Sequence, residues 1–389
     1  MASSSDVIVV GAGAWGLPTA LQLQDRGHSV TLIDRFAIGS RFASSGGSTR
    51  LWRLADTHRW RARAMVGTLR AMERLSDRLG EPVFQRTGML WRDDVSLPDV
   101  AEALASIDAG FQEVDADGVG DVFPGLRPDG RGALFVEDAG IVHADRLLGG
   151  ALAAFEAAGG TYLPWTRVRE VVAADRHVFV RLEDAADLWA DQLVLAAGPG
   201  TPELLPGLGL RLPLRPVTEQ VVYFGSPGGE PVDLPGLVDV GVGDAPGIYA
   251  MPNGSAGYKV GLDLPLRFLA EGTLGEDLDR HEDPARTESI RARVERDLTA
   301  VPSHVLAAQV CTWTDSGDGD FVVGRIHPRI VLACGDSGEG FKYAAFMGEY
   351  LADLVEHGAG DAEFQRHWDP HRFGADPAMP EAVSAIGRH

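Results

Sequence analysis

The stretch that decides the fold is Asp6–Asp34, DVIVVGAGAWGLPTALQLQDRGHSVTLID. Asp6 to Val10 is a short apolar run. Glycines follow it, a helix-length segment extends to Arg26, Gly27 supplies a stop, and Ser29 to Asp34 forms a second apolar run. The order reads strand, helix, strand. Pro18 falls in the first turn of the helix, where its missing N–H costs little. Gly11-Ala12-Gly13-Ala14-Trp15-Gly16 forms the strand-to-helix turn, and Asp34 ends the next strand 34 − 16 = 18 residues later. That spacing is the one dinucleotide binding needs. Glycines permit a tight turn and close approach of the backbone to a pyrophosphate, helix N-terminal N–H groups face the phosphates, and the acid accepts from a ribose hydroxyl. A plain glycine-rich turn is the alternative, and the motif does not separate NAD from FAD.

Farther along, Trp60–Leu79 and Leu147–Ala158 read as helices, and Val168–Val172, Val178–Leu182 and Leu193–Ala196 as strands. Pro and Gly thicken between Gly198 and Pro265, around short alternating strands such as Val217–Phe224 and Tyr258–Leu262. The tail repeats the opening order: an apolar run Ile330–Ala333, a glycine turn Gly335–Gly340 and a helix Tyr343–Glu356 with Gly358 beyond its end. Two glycine turns from opposite ends of the chain are therefore expected at one ligand.

The 389 residues carry 35 Lys+Arg against 56 Asp+Glu, a formal net charge of -21, so nucleic-acid and anionic-membrane partners are not expected. Cys311 and Cys334 are the two cysteines and form no CxxC pair, which favours a reducing, cytoplasmic location over a disulfide framework. The opening uncharged stretch Val7–Gln24 lacks a basic flank and is broken by Gly11, Gly13, Gly16 and Pro18, so it reads as neither signal peptide nor membrane span. The turn Gly335–Glu339 lacks the second glycine of a serine-nucleophile elbow. The acidic run Asp315–Asp320 has Ile326 where a calcium loop needs a bidentate Glu, and Pro370 separates His367 from His371. No metal is assigned.

Four further segments occur in order: Thr49-Arg50-Leu51-Trp52-Arg53, the stretch from Tyr249 to Lys259, Cys311-Thr312-Trp313-Thr314, and Gly338-Glu339-Gly340-Phe341-Lys342. With the N-terminal turn they resemble the FAD-dependent amine oxidases of the monomeric sarcosine oxidase and N-methyltryptophan oxidase family, and the resemblance covers nearly the whole chain. It implies FAD bonded through the Cys311 sulfur, Arg50 over the flavin ring, and Arg53 with Lys342 on a substrate carboxylate. It also implies Lys259 as the group that activates oxygen, and Tyr249 with Trp313 as aromatics around the substrate. Arg35, Ser48, Thr49, Val168 and Gly198 complete the expected cofactor contacts. Taken on their own, Arg50 and Arg53 lie three apart, so one helical turn or a tight loop would aim both into one cleft. Surface arginines, a solvent-facing Lys259 and core aromatics are the structural alternatives.

The chain also departs from that family. Gly46-Gly47 stand where the family has a histidine and a glycine, and Asp263 stands at a pocket histidine position. Gly46 is expected to open space and Asp263 to offer an acceptor, which points to an amine bulkier or more polar than sarcosine. The expected fold is α/β, a Rossmann-like FAD-binding domain (1–85, 140–212 and 304–389) with an interleaved α+β substrate domain on an antiparallel sheet (86–139 and 213–303). The implied reaction oxidises a secondary amine of an amino acid or related carboxylate to an imine and reduces O2 to H2O2. A nicotinamide-dependent dehydrogenase is the principal rival, and a non-catalytic flavin-binding module a more distant one.

Overall fold

The computed structural model describes residues 4–241, 245–254, 257–269, 280–374 and 377–380. Positions 255 and 256 of the stretch leading to Lys259 lie outside the described residues, as do 270–279 within the expected substrate domain.

Strand Ser4–Val10 pairs in parallel with Val30–Ile33 on one side and Leu188–Leu195 on the other. Thr161–Leu163 and Ile330–Cys334 extend the parallel arrangement, so the first and last apolar runs of the chain lie in one sheet. Val7–Val10, Val30–Ile33 and Ile330–Cys334 are buried at every position, as strands covered on both faces require. Helices Gly16–Asp25, Ala144–Ala157 and Ala344–His357 take part in that packing.

The turn after Ser4–Val10 depends on its glycines. Gly11 has φ +105° and a Cβ there would lie 2.2 Å from the Ala196 carbonyl oxygen; a Cβ at Gly16 would lie 1.8 Å from that of Gly11. No side chain fits either position.

A second, mostly antiparallel sheet is built on Leu214–Phe224. It pairs with Val305–Ser316 from Leu214 opposite Ser316 to Phe224 opposite Val305, and with Tyr258–Leu262, which pairs in turn with Ile248–Pro252. This corrects the expected division, which put 304–389 wholly with the nucleotide-binding part: Val305–Ser316 belongs to the second sheet because its partner strand is there. A small third sheet joins Thr49–Trp52 and Phe84–Arg86 to Gly140–His143. Among the described residues no helix is long and apolar enough to cross a membrane.

Candidate active site

Residues directly opposite in an antiparallel ladder share a face. Tyr223 and Met251 lie opposite Lys259, Val221 and Tyr249 opposite Gly261, Val221 also opposite Gln309, and Glu219 opposite Cys311. One face of the second sheet therefore presents Tyr223, Lys259, Tyr249, Met251, Gln309, Cys311 and Trp313 together, and all of them line one cavity of about 1110 Å³ including its mouth. Across from that face the cavity is walled by Gly13, Ala14 and Trp15 of the first glycine turn, by Arg50, and by Gly338, Gly340, Phe341 and Lys342 of the last one. The two glycine turns touch: Trp15 Nε1 donates to the Gly340 carbonyl at 2.7 Å.

A second cavity of about 910 Å³ is lined by Gly11, Asp34, Arg35 and Val168, and shares Gly13, Ser44, Ser45, Ala196 and Gly198 with the first. The Asp34 carboxylate accepts from the Ala12 and Phe36 N–H groups, both at 2.7 Å, which fixes it at the end of its strand. Burial raises its pKa against those two bonds. The two cavities adjoin along the N-terminal turn, with five wall residues in common. Ser44 Oγ is screened from solvent, lies on both walls and has no hydrogen-bond partner among the described residues. A glycine cradle, an unused hydroxyl and a fixed acid at one end fit a dinucleotide cofactor.

Arg50 lies in extended strand Thr49–Trp52. Its guanidinium donates to the Ser44, Gly46 and Thr49 carbonyls and sits 5.2 Å from the centre of the Phe341 ring. Lys259 Nζ donates to the Thr49 carbonyl, and burial, then the charge of Arg50, push its pKa well below the usual lysine value. Cys311 Sγ lies 3.6 Å from the Glu219 carbonyl, and burial pushes its thiol up to about 11 against the pull of Arg50.

Arg53 departs from expectation. The segment before it is a strand, with a two-residue period, so Arg50 and Arg53 do not share a face. Arg50 lines the cavity; Arg53 is not on its wall and lies 5.0 Å over the ring of Trp91. Arg53 Nη2 meets Glu339 Oε1 at 2.9 Å, and Lys342 Nζ meets the same oxygen at 3.2 Å. Arg61 Nη1 lies 3.4 Å from Glu339 Oε2 and pairs with Asp320, while Asp56 lies 3.7 Å from Arg53. Burial alone would raise Glu339, but Lys342, Arg61 and Arg53 hold its carboxyl far below the usual range. Burial and Arg53 lower Lys342 to about 8 despite Glu339.

The chain matches the family model described as FAD dependent oxidoreductase over residues 6–354. It belongs to that family. Monomeric sarcosine oxidase of Bacillus sp. (strain B-0618) is 27% identical over 374 residues, covering 91% of this chain and 93% of the relative. N-methyl-L-tryptophan oxidase of Escherichia coli (strain SMS-3-5 / SECEC) is 25% identical, covering 92% and 96%. A solved structure of NikD, described as an unusual amino acid oxidase essential for nikkomycin biosynthesis, superimposes with a TM-score of 0.85 at 22% identity, over 95% of this chain and 98% of that one. The resemblance to the sarcosine and N-methyltryptophan oxidases, the α/β fold and the reading as a flavin-dependent amine or amino-acid oxidase are borne out.

Other expected residues of this flavoenzyme fall out as follows. Tyr249 and Trp313 are on the cavity wall, the latter with Nε1 donating to Asp315 at 2.9 Å. Gly46 is on the wall, but a Cβ there would meet the Ser40 carbonyl oxygen at 2.6 Å, so backbone packing rather than pocket space requires the glycine. Asp263 does not line the cavity; its charge adds to the rise in the pKa of Tyr249 and of Glu219. Ser48 and Thr49 also stand off the wall, Ser48 donating to Asn253 and Thr49 holding Lys259. Cys334 is buried in its strand. The residues missed are Ser44, Gln309, Glu339, Arg61 and Asp336, whose buried carboxyl is raised to about 6. Gln309 had a signal, the alternation Gln309, Cys311, Trp313 along one strand.

Proposed function

We propose that this chain binds FAD across the two joined cavities and oxidises a secondary amine of an amino acid or related carboxylate to the imine, with O2 reduced to H2O2. The observation that carries this reading is the shared sheet face bearing Lys259, Tyr249, Cys311 and Trp313 opposite the dinucleotide turn. Gly11, Gly13 and the N-terminus of Gly16–Asp25 would hold the pyrophosphate, Asp34 a ribose, and Cys311 a thioether to the ring system. When bound, the flavin supplies the hydride acceptor and the route to oxygen.

The protein's own groups supply the electrostatics. Burial does most to lower Lys259, and Arg50 lowers it further by its charge; the same charge would lower the pKa of a substrate ammonium nearby, leaving the neutral amine with the lone pair that oxidation needs. Lys259 would stabilise the negative charge that oxygen acquires on its first electron in the fraction of the protein whose Nζ carries its proton. Tyr249, Met251, Trp313 and Phe341 offer apolar and aromatic surface to a substituent larger than the single N-methyl group of sarcosine. Lys342, on the same wall with Nζ 3.2 Å from Glu339 Oε1, is the cation that would meet a substrate carboxylate. With two unpaired cysteines, a cytoplasmic site of action is proposed.

The deciding experiment is anaerobic bleaching of the flavin by a panel of N-methyl and cyclic secondary amines, with and without carboxylates. Reduction by at least one panel member is expected. A yellow protein that none of them reduces would leave only the binding-module reading.

A further inference from the structure

The charge cluster behind the cavity is balanced before any substrate arrives. Among the described residues the cations Arg53, Arg61 and Lys342 are faced by the acids Glu339, Asp56 and Asp320, with His58 beside Asp56 and His367 beside Asp320 at the outer edge. Glu339, Arg53 and Lys342 are all buried. Glu339 and Lys342 line the cavity while Arg53 does not, and the Glu339 carboxylate is bound to both cations. One oxygen, Oε1, bridges Arg53 and Lys342, the position that an oxygen of a substrate carboxylate would need to take. A second carboxylate entering a neutral buried cluster is an uncompensated charge, and burying such a charge is costly. An amine without a carboxylate meets no such barrier, and Leu51, Val221, Tyr249, Met251, Trp313 and Phe341 give it an apolar wall.

We propose that Glu339 is a specificity-determining residue, an internal competitor for the substrate carboxylate. A carboxylate-bearing amine enters only by displacing it from Arg53 and Lys342. The site therefore ranks secondary amines with apolar substituents and no carboxylate ahead of their amino-acid counterparts. This rests on the flavin-dependent oxidation of a secondary amine proposed above and departs from that reading in one respect, placing amines without a carboxylate ahead of the amino acids named there.

The test compares N-methylphenethylamine with N-methylphenylalanine, which differ only in the carboxylate, in anaerobic reduction of the flavin-loaded protein. Phenylacetate binding, measured by calorimetry, gives a readout independent of turnover. The wild-type protein is expected to be reduced at least tenfold faster by N-methylphenethylamine. Glu339→Gln keeps the side-chain size and removes the charge; it is expected to narrow that ratio at least tenfold and to tighten phenylacetate binding by a similar factor. A wild-type preference for N-methylphenylalanine overturns the proposal, and so does a Glu339→Gln protein with both quantities unchanged. Should that variant not fold, the wild-type ratio alone decides. If neither amine nor any other secondary amine bleaches the flavin, the amine-oxidase reading falls, and the phenylacetate comparison still judges the role of Glu339.

Discussion

The first and last glycine turns of the chain lie against each other, yet they work by opposite means. Gly11–Gly16 acts through backbone: its glycines are compelled by the Ala196 and Gly11 carbonyls, and the charged side chain bonded to it is Asp34. Gly335–Gly340 acts through side chains. It carries Asp336 and Glu339 on the cavity wall, with Lys342 just after it. Contacts made by backbone survive most side-chain replacements, whereas contacts made by side chains are re-specified by one replacement. The first turn is thus suited to holding a cofactor, and the second to setting which substrate fits.

The sharpest way to break that contrast is Gly16→Ala. A methyl group 1.8 Å from the Gly11 carbonyl oxygen forces the turn open. The expected loss is about 3 kcal/mol, the upper part of the overpacking range. Denaturant melts and flavin content of the purified protein check it; a yellow protein of wild-type stability would show that the turn is not closed as described. Next in size is Lys259→Met, expected to slow reoxidation by oxygen on the order of 100-fold. Reduction by amine should suffer far less. Stopped-flow measurement of the two half-reactions decides, and equal losses in both would remove Lys259 from the oxygen step.

Cys311 sharpens the comparison from the substrate side. Burial holds its thiol at about 11, so between neutral pH and that value the thiolate fraction rises about tenfold per unit. Attachment of flavin to apoprotein should therefore accelerate as pH rises, followed as colour that stays with acid-precipitated polypeptide. Cys311→Ala should release all of that colour to the supernatant, and covalent retention in the variant would point to another residue.

What the sequence disclosed follows the same division. The N-terminal turn was legible because its determinants are local: an apolar strand, three glycines and an acid at fixed spacing. Lys259, Cys311 and Trp313 were placed by resemblance, and they meet because antiparallel register puts them on one face, which no single strand displays. Arg50 and Arg53 were expected in one cleft because a helical turn or a tight loop would bring three-residue spacing to one side, but Thr49–Trp52 is a strand and sends the two to opposite faces. Glu339 was passed over as a variable position between two glycines. Its importance comes from Arg53 and Arg61, which approach it from segments 286 and 278 residues away in the chain. Long-range charge pairing leaves no periodic trace. The same is true of Val305–Ser316, whose sheet is chosen by a partner about ninety residues earlier.

The smallest effect concerns the bond from Trp15 to Gly340 by which the two turns touch. Trp15 Nε1 donates to the Gly340 carbonyl at 2.7 Å, and a Cβ at Gly340 would lie 3.0 Å from the Trp15 ring, so the indole is packed directly under the last turn. Trp15→Phe keeps an aromatic body and its edge contact with Phe321 but removes the donor. Leaving a buried carbonyl without its partner costs about 1–2 kcal/mol. The loss should be local, because Asp34, Gly11 and Gly13 keep their contacts and the pyrophosphate cradle is untouched. Stability is expected to fall by that amount, with flavin still bound. The order of preference between N-methylphenethylamine and N-methylphenylalanine should blur by a few-fold at most, since Gly340 spaces Glu339 from Phe341. If Trp15→Phe instead discards the flavin as completely as Gly16→Ala, the two turns form one cooperative unit and the division between a cofactor turn and a substrate turn does not hold.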